Sequence, residues 1–112
     1  MKYALLIYGS PDHLAGKSEA EVRSVIGEYE AIGASPGVLG SQQLQPATTA
    51  TTVRVENGDA LLTDGPFVDA KEYLGGFFLL EADDLDAATA MAARIPAARM
   101  GGAVEVRPVV ER

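Results

Sequence analysis

The sequence predicts one α+β domain in which two helices cover one face of an antiparallel sheet. Two amphipathic helical patterns, several short apolar or β-branched runs, and the alternation of these segments along the chain lead to this prediction. A chain of 112 residues, 47% of them hydrophobic, is long enough for one hydrophobic core and too short for two. We therefore treat residues 1–112 as a single domain.

The first half of the chain contains a predicted strand, helix and strand. Residues 2–8 are largely apolar and end at turn-forming residues. Ser18 lies three residues before Glu21, which is the spacing of a capping box, and apolar residues follow at helical spacing, so a helix is predicted over 19–33. Residues 38–45 form a second strand with a weaker pattern, because glycine and glutamine interrupt it.

A β-hairpin is predicted in the middle of the chain. Residues 51–56 are rich in β-branched side chains, and residues 60–63 form the return strand. Asn57-Gly58 between them is the pair best suited to a two-residue turn, because both positions tolerate positive φ. We interpret this hairpin as an insertion into the main fold.

The second half predicts a strand, a helix and a final strand. Residues 75–82 form a dense apolar run, as expected of a central strand buried on both faces. Residues 103–107 alternate, and Pro108 indicates that this strand either ends there or runs along an edge. Asp83 or Asp84 caps the helix, whose predicted buried stripe consists of Leu85, Ala88, Met91 or Ala92, and Ile95.

With the hairpin set aside, the order of elements approximates the split βαβ pattern of a ferredoxin-like α/β sandwich. Successive side chains of a strand point to opposite faces, so residues 77–80 cannot all face the helices. The second face of the sheet needs a cover, and a homodimer that packs sheet on sheet is the simplest one.

Composition argues against several classes of partner and cofactor. The net charge of −7 disfavours nucleic acids and anionic membranes as partners. The lack of cysteine removes disulfides and thiolate chemistry, and a single histidine makes a poor metal site. No phosphate loop is present either. Neither a cofactor nor a metal is expected. Without a leader-like or membrane-spanning segment, the expected location is the cytoplasm.

Four segments closely resemble the YCII-related proteins of the DGPF subgroup: MKYALLIYG, TTVRVENGDALLTDGPFVDAKE, LGGFFLLEADDLDAATAMAARIPAAR and GGAVEVRPV. The resemblance covers nearly the whole chain, apart from roughly residues 10–46. It implies a ferredoxin-like fold and a dimeric α/β barrel, but no particular reaction. Many such proteins are encoded near extracytoplasmic-function sigma factors, which suggests a regulatory or accessory setting.

The resemblance does not supply a catalytic pair. In the YciI-like branch, a histidine on the first helix and an aspartate before a proline near the end of the second helix are proposed to act as acid and base. In this sequence the predicted helix over 19–33 has no histidine, and Ile95 precedes Pro96.

Most candidate site residues lie in the stretch TDGPFVDAKE, at the exit of the hairpin. Asp64 is either a carboxylate at a pocket edge or a turn residue that bonds nearby amides. Phe67 would anchor the loop to the core or to a dimer partner. Lys71 and Glu72 would bind a ligand or remain surface charges.

Three further candidates lie outside this stretch. Arg107, in the family-like VEVRP segment, would bind an anion, and Tyr8 would add a hydroxyl to the same rim. His13 lies in a turn before the first helix, where it is either a general base or only an exposed residue. Asp64 and His13 are the tentative catalytic residues.

Three functions remain open. The first is a small-molecule-binding homodimer with a regulatory or accessory role, whose cleft is rimmed by the DGPF loop (residues 64–67). The second is an enzyme that uses Asp64 or His13 in general acid–base chemistry on a small organic acid or carbonyl compound. The third is a protein-interaction partner in sigma-factor-linked regulation.

Overall fold

The computed structural model describes residues 1–10 and 12–112. They form eight regular elements: β1 (Lys2–Gly9), α1 (Glu19–Gly33), β2 (Val38–Gln43), β3 (Thr51–Glu56), β4 (Asp59–Asp64), β5 (Tyr73–Glu81), α2 (Leu85–Ala93) and β6 (Ala103–Pro108). Short 3₁₀ turns cover Ala47–Thr49 and Pro96–Ala98.

The main sheet has the strand order β2-β5-β1-β6, and every neighbouring pair is antiparallel. This is the ferredoxin-like order, so the predicted α+β class is confirmed. Strand β6 ends at Pro108 and also lies at an edge, so both alternatives suggested by this proline are found. Strands β3 and β4 pair only with each other, which confirms that the hairpin is an insertion.

Both helices begin at side-chain caps. The Ser18 Oγ accepts a hydrogen bond from the Glu21 N–H at 3.1 Å. At α2 the Asp84 Oδ1 accepts from the Ala87 N–H at 2.8 Å, so Asp84 is the cap and not Asp83. The prediction that Leu85 is buried is wrong, because this residue is 52% exposed. It is the first residue of α2 and therefore lies at the N-terminal end of the predicted apolar stripe.

The core lies between the helices and one face of the sheet. Tyr3 and Leu5 of β1 lie opposite Leu80 and Phe78 of β5, and all four are buried. Helical residues of the same cluster cover them: Ile32, Ala88 and Ala92. Helix α1 and helix α2 therefore share one face of the sheet.

The other face of the main sheet is apolar along β1 and β5, and neither α1 nor α2 covers it, while Glu105 and Arg107 lie on the same side along the edge strand β6. Side chains alternate along a strand, so the residues between the core positions point away from the helices. They are half-buried, apart from the more exposed Leu74. We call this surface the open face, and it consists of Ala4, Leu6, Tyr8, Leu74, Phe77 and Leu79.

The hairpin has the predicted turn. Asn57 has φ 50° and Gly58 has φ 83°, as a two-residue turn with two left-handed positions requires. Val53 and Leu62 lie opposite each other on one face of the hairpin, and they are 58% and 70% exposed. An isolated two-stranded sheet is only marginally stable in water, so the hairpin depends on contacts at its base.

Candidate functional site

A hollow of about 320 Å³ lies where the end of the main sheet meets the base of the hairpin. Most of its surface is apolar. It is lined by Leu44, Gln45, Pro46, Ala47, Thr49, Ala50, Pro66, Tyr73 and Leu74. We call this feature the hollow.

Two leucines connect the hollow to the open face. Leu74 lies opposite Tyr8 across the β1–β5 pair. On the other side of β5, Gln42 lies opposite Phe77, and Leu44 follows two residues later with its N–H donating to the Gly75 carbonyl at 2.9 Å. Because side chains alternate, Leu44 and Leu74 lie on the same side of the sheet as Phe77.

A β-bulge in β5 creates this arrangement. Ile7 lies opposite Gly76 and Tyr8 opposite Leu74, so Gly75 is the extra residue. At Gly76 the strands approach so closely that a Cβ atom would lie 2.7 Å from the Gln42 carbonyl oxygen. The bulge toward β1 and the close approach to β2 thus fall on adjacent glycines, and the bulge places Leu74 on the same face as Tyr8.

The hairpin base forms the other wall. The Gly65 N–H donates to the Ala50 carbonyl, and the Thr52 hydroxyl donates to the Gly65 carbonyl, each at 2.8 Å. Pro46 begins the 3₁₀ turn, and its carbonyl accepts from the Thr49 hydroxyl at 2.7 Å. These bonds fix the DGPF loop against the start of β3 and place Pro66 in the wall.

Tyr73 is the aromatic residue of the lining. Its hydroxyl donates to the Asp69 Oδ1 at 3.2 Å and accepts from the Ala70 N–H at 3.3 Å. These two bonds hold the segment between the DGPF loop and β5 in a fixed turn. The nine lining residues, all within the described part of the chain, include no charged side chain.

The acidic and basic residues of TDGPFVDAKE are sequence neighbours of the lining residues Pro66 and Tyr73 but do not line the hollow themselves. Asp64, Lys71 and Glu72 are exposed. The Gly65 N–H bonds to the Ala50 carbonyl, so this amide is not the partner of the Asp64 carboxylate. Whether these three side chains contact a ligand stays a prediction.

Phe67 does not anchor the loop to the core. Its side chain is 68% exposed, and the guanidinium of Arg54 lies 4.7 Å from the ring centroid. This cation–π contact holds the loop along the hairpin. The first of the two predicted anchors, the core, is therefore wrong, and a dimer partner remains as the alternative.

Tyr8 and Arg107 lie on the same side of the sheet but far apart. Tyr8 lies beside Leu74, whereas Arg107 lies opposite Ala4. Ala4 and Tyr8 are four positions apart along β1, which corresponds to about 13 Å. The Arg107 guanidinium lies 3.9 Å from the Glu105 carboxylate. Within one chain, Arg107 and Tyr8 therefore do not form one rim.

His13 is held by its own turn. Its Nδ1 lies 2.9 Å from the Ser10 carbonyl oxygen. A carbonyl only accepts hydrogen bonds, so Nδ1 carries the proton and a neutral ring presents Nε2 as an acceptor. The half-buried ring belongs to the loop after β1, at the same end of the sheet as the hollow, but it does not line the hollow.

Residues 1–10 and 12–112 contain no group of three or more histidine, cysteine or acidic residues placed to hold a metal ion. None of their helices has the length and hydropathy needed to cross a membrane.

Sequence reasoning missed most of the lining. The segment from Leu44 to Ala50 carried only a weak strand pattern and a run of small residues. The one local signal in this segment was Pro46, directly after the strand predicted over 38–45. The hollow arises from the pairing of distant segments, and local patterns do not show such pairing.

The family model of the YCII-related domain matches residues 1–112. The chain belongs to the YCII-related family. An uncharacterised protein of Rhizobium meliloti (strain 1021) is 34% identical over 114 residues, which cover 97% of this chain and 92% of that protein. The resemblance inferred from four segments thus extends over the whole chain, including residues 10–46.

Within this YCII-related domain, the position before Pro96 has an apolar role. Ile95 is fully buried and belongs to the core cluster. A carboxylate at this position would be desolvated among apolar side chains. The structure therefore gives a packing reason for isoleucine at this position.

Proposed function

We propose that this YCII-related domain binds a small molecule as a homodimer, with the hollow as its site and the DGPF loop as part of the rim. One observation carries the proposal: Leu44 and Leu74 make the hollow continuous with the apolar open face. A surface that covers the open face would also close the hollow.

The open face favours a second copy as its cover. Phe77 and Leu79 lie at the centre of the sheet, and Leu6 lies opposite Phe77. Fully burying one such side chain contributes roughly 1.5–3 kcal/mol. Two open faces related by a two-fold axis would stack about 10 Å apart, as the faces of sheets do in sandwiches.

Dimer formation would complete the binding site. Ligand pockets bury about 70–90% of the surface of a ligand. In the single chain, the hollow has walls from the sheet and from the hairpin base but remains open to its surroundings. A second copy stacked on the open face would supply the missing wall.

Light scattering tests the dimer. The wild-type protein is expected to elute with twice the chain mass of 11.7 kDa. Phe77→Glu would place a charge at the centre of the stacked faces and give a monomer, because desolvating an unpaired carboxylate costs several kcal/mol. Ala90→Glu, at an exposed position of α2, should remain dimeric. A monomeric wild type at micromolar concentration would refute the dimer.

Thermal melts with a panel of metabolites test the site. At least one compound should raise the Tm of the wild type, because a ligand that binds only the folded state stabilises it. Asp64→Asn should keep the Tm of the unliganded protein, since the side chain is exposed, but change the ligand-induced shift. If no compound shifts the melt and the variant itself is less stable, Asp64 is a turn residue and the rim assignment fails.

A further inference from the structure

We infer that the ligand of the hollow is a neutral, mainly apolar molecule carrying a hydroxyl or N–H donor, and not a carboxylate or a phosphate. The inference rests on the proposed function and specifies its chemistry. It differs from the sequence-based hypotheses, in which Lys71 or Arg107 binds an anion.

The charges around the hollow argue against an anionic ligand. The lining offers no lysine or arginine to pair with a carboxylate. The guanidinium of Arg54 stacks on Phe67, and Arg107 lies at the opposite end of the sheet beside Glu105. An anion in this lining would lose hydration without an ion pair from the chain that forms the hollow, and the net charge of −7 on each chain would add repulsion.

The shape and surface of the hollow favour an apolar ring system. Leu44 and Leu74 supply the wall from the sheet, and Pro46 and Pro66 supply rigid apolar surface from the hairpin base. The volume of about 320 Å³ lies at the lower end of the range for small-molecule sites. Ala47 occupies the 3₁₀ turn of the lining, where a larger side chain would reduce this volume.

Three lining residues have polar side chains: Gln45, Thr49 and Tyr73. The Gln45 amide can donate and accept, whereas the Thr49 hydroxyl already donates its proton to the Pro46 carbonyl. Tyr73 shows the same preference as Thr49. Its hydroxyl proton is directed to Asp69, and its oxygen already accepts one bond from the Ala70 N–H. The oxygen of a hydroxyl has a second lone pair, so Tyr73 can accept one more hydrogen bond but has no proton left to donate. A ligand hydroxyl or N–H complements this group, whereas a carboxylate presents only acceptors.

A fluorescence titration with N-phenyl-1-naphthylamine tests the proposed chemical class of the ligand. This probe is neutral and apolar, carries one N–H, and becomes brightly fluorescent when it leaves water. It is then displaced by 1-naphthol or by 1-naphthoate at neutral pH, two compounds with the same rings that differ in charge. We expect 1-naphthol to displace the probe at a concentration at least tenfold lower than 1-naphthoate does.

Two variants connect the binding to the hollow. Ala47→Leu fills it and should weaken probe binding at least tenfold, while Ala90→Leu, on the exposed surface of α2, should leave binding unchanged. Circular dichroism establishes that both variants are folded. Unchanged binding by Ala47→Leu would overturn the inference, because the probe would then bind elsewhere.

The outcomes separate the inference from the proposed function. If 1-naphthoate competes as well as 1-naphthol, or only carboxylates from the metabolite panel shift the melt, the ligand class is wrong but small-molecule binding stands. If neither the probe nor any metabolite binds, the inference and the proposed function both fail.

Discussion

At the residue scale, Gly76 controls how closely β2 and β5 approach beside the hollow. A Cβ atom at this buried position would lie 2.7 Å from the backbone oxygen of Gln42, which cannot move without breaking the strand pair. Gly76→Ala should therefore lower the free energy of unfolding by about 1–3 kcal/mol, the usual cost of overpacking. Urea denaturation measures this change.

Gly27→Ala is the matched control for Gly76→Ala. Gly27 lies inside α1, and a Cβ atom there meets no heavy atom within 4 Å. Alanine has the higher helix propensity, so this variant should be more stable than wild type by about 0.5–1 kcal/mol. Equal effects of the two substitutions would show that the strand spacing adapts at Gly76.

The residues of TDGPFVDAKE show how far local chemistry predicts a site. The many charged residues in this stretch indicated the rim of a binding site. One residue of the stretch that lines the hollow is the uncharged Pro66. The same chemistry could not show that Arg54 covers Phe67, because that contact depends on how the loop folds back along β3. Residue type thus pointed to a segment that contributes Pro66 to the hollow, but it did not show which side chains of the segment line it.

At the element scale, the cap of α2 gives a sharp test between two adjacent acids. The Asp84 carboxylate accepts the Ala87 N–H, a donor that has no partner within the helix. Asp84→Ala should cost about 1 kcal/mol of unfolding free energy, as the loss of an N-cap usually does. Thermal or urea denaturation gives the value.

Asp83→Ala provides the control for Asp84→Ala. Asp83 is exposed and precedes the cap, so its replacement should change stability by less than about 0.5 kcal/mol. Equal losses for the two variants would contradict the capping assignment and point to a general effect of negative charge near the helix start.

The secondary structure elements were far more predictable than the site. The bounds of α1 and of the hairpin follow from local signals, namely a capping box, helical spacing and an Asn-Gly turn. The β-bulge at Gly75 requires the register between β1 and β5, which are more than 60 residues apart in the sequence. The hollow depends on that register, so its lining could not be read from either segment alone.

At the scale of the whole molecule, the chain is a thin slab with a projecting hairpin. Its extents are 45 × 43 × 19 Å and its radius of gyration is 15.9 Å, against about 13 Å for a compact domain near this length. One sheet and one helical layer account for the short dimension. This shape leaves the open face and the hairpin as the two surfaces that lack a second layer.

The hairpin should therefore unfold separately from the main sheet. Strands β3 and β4 form a sheet of their own, separate from the main sheet. At the base of the hairpin, the Thr52 hydroxyl donates a hydrogen bond to the Gly65 carbonyl. In native-state hydrogen exchange, amides of β3 and β4 should open at a lower free energy than amides of β1 and β5, which share the core.

Thr52→Val tests this separation, because valine keeps the shape and removes the hydroxyl. The opening free energy of β3 and β4 should fall by about 1 kcal/mol, while that of β5 stays unchanged. Thr63→Val, directly opposite on the same face of the hairpin, is the control. If Thr52→Val lowers the opening free energy of β5 by the same amount, hairpin and sheet form one cooperative unit. The base of the hairpin would then be coupled to the core.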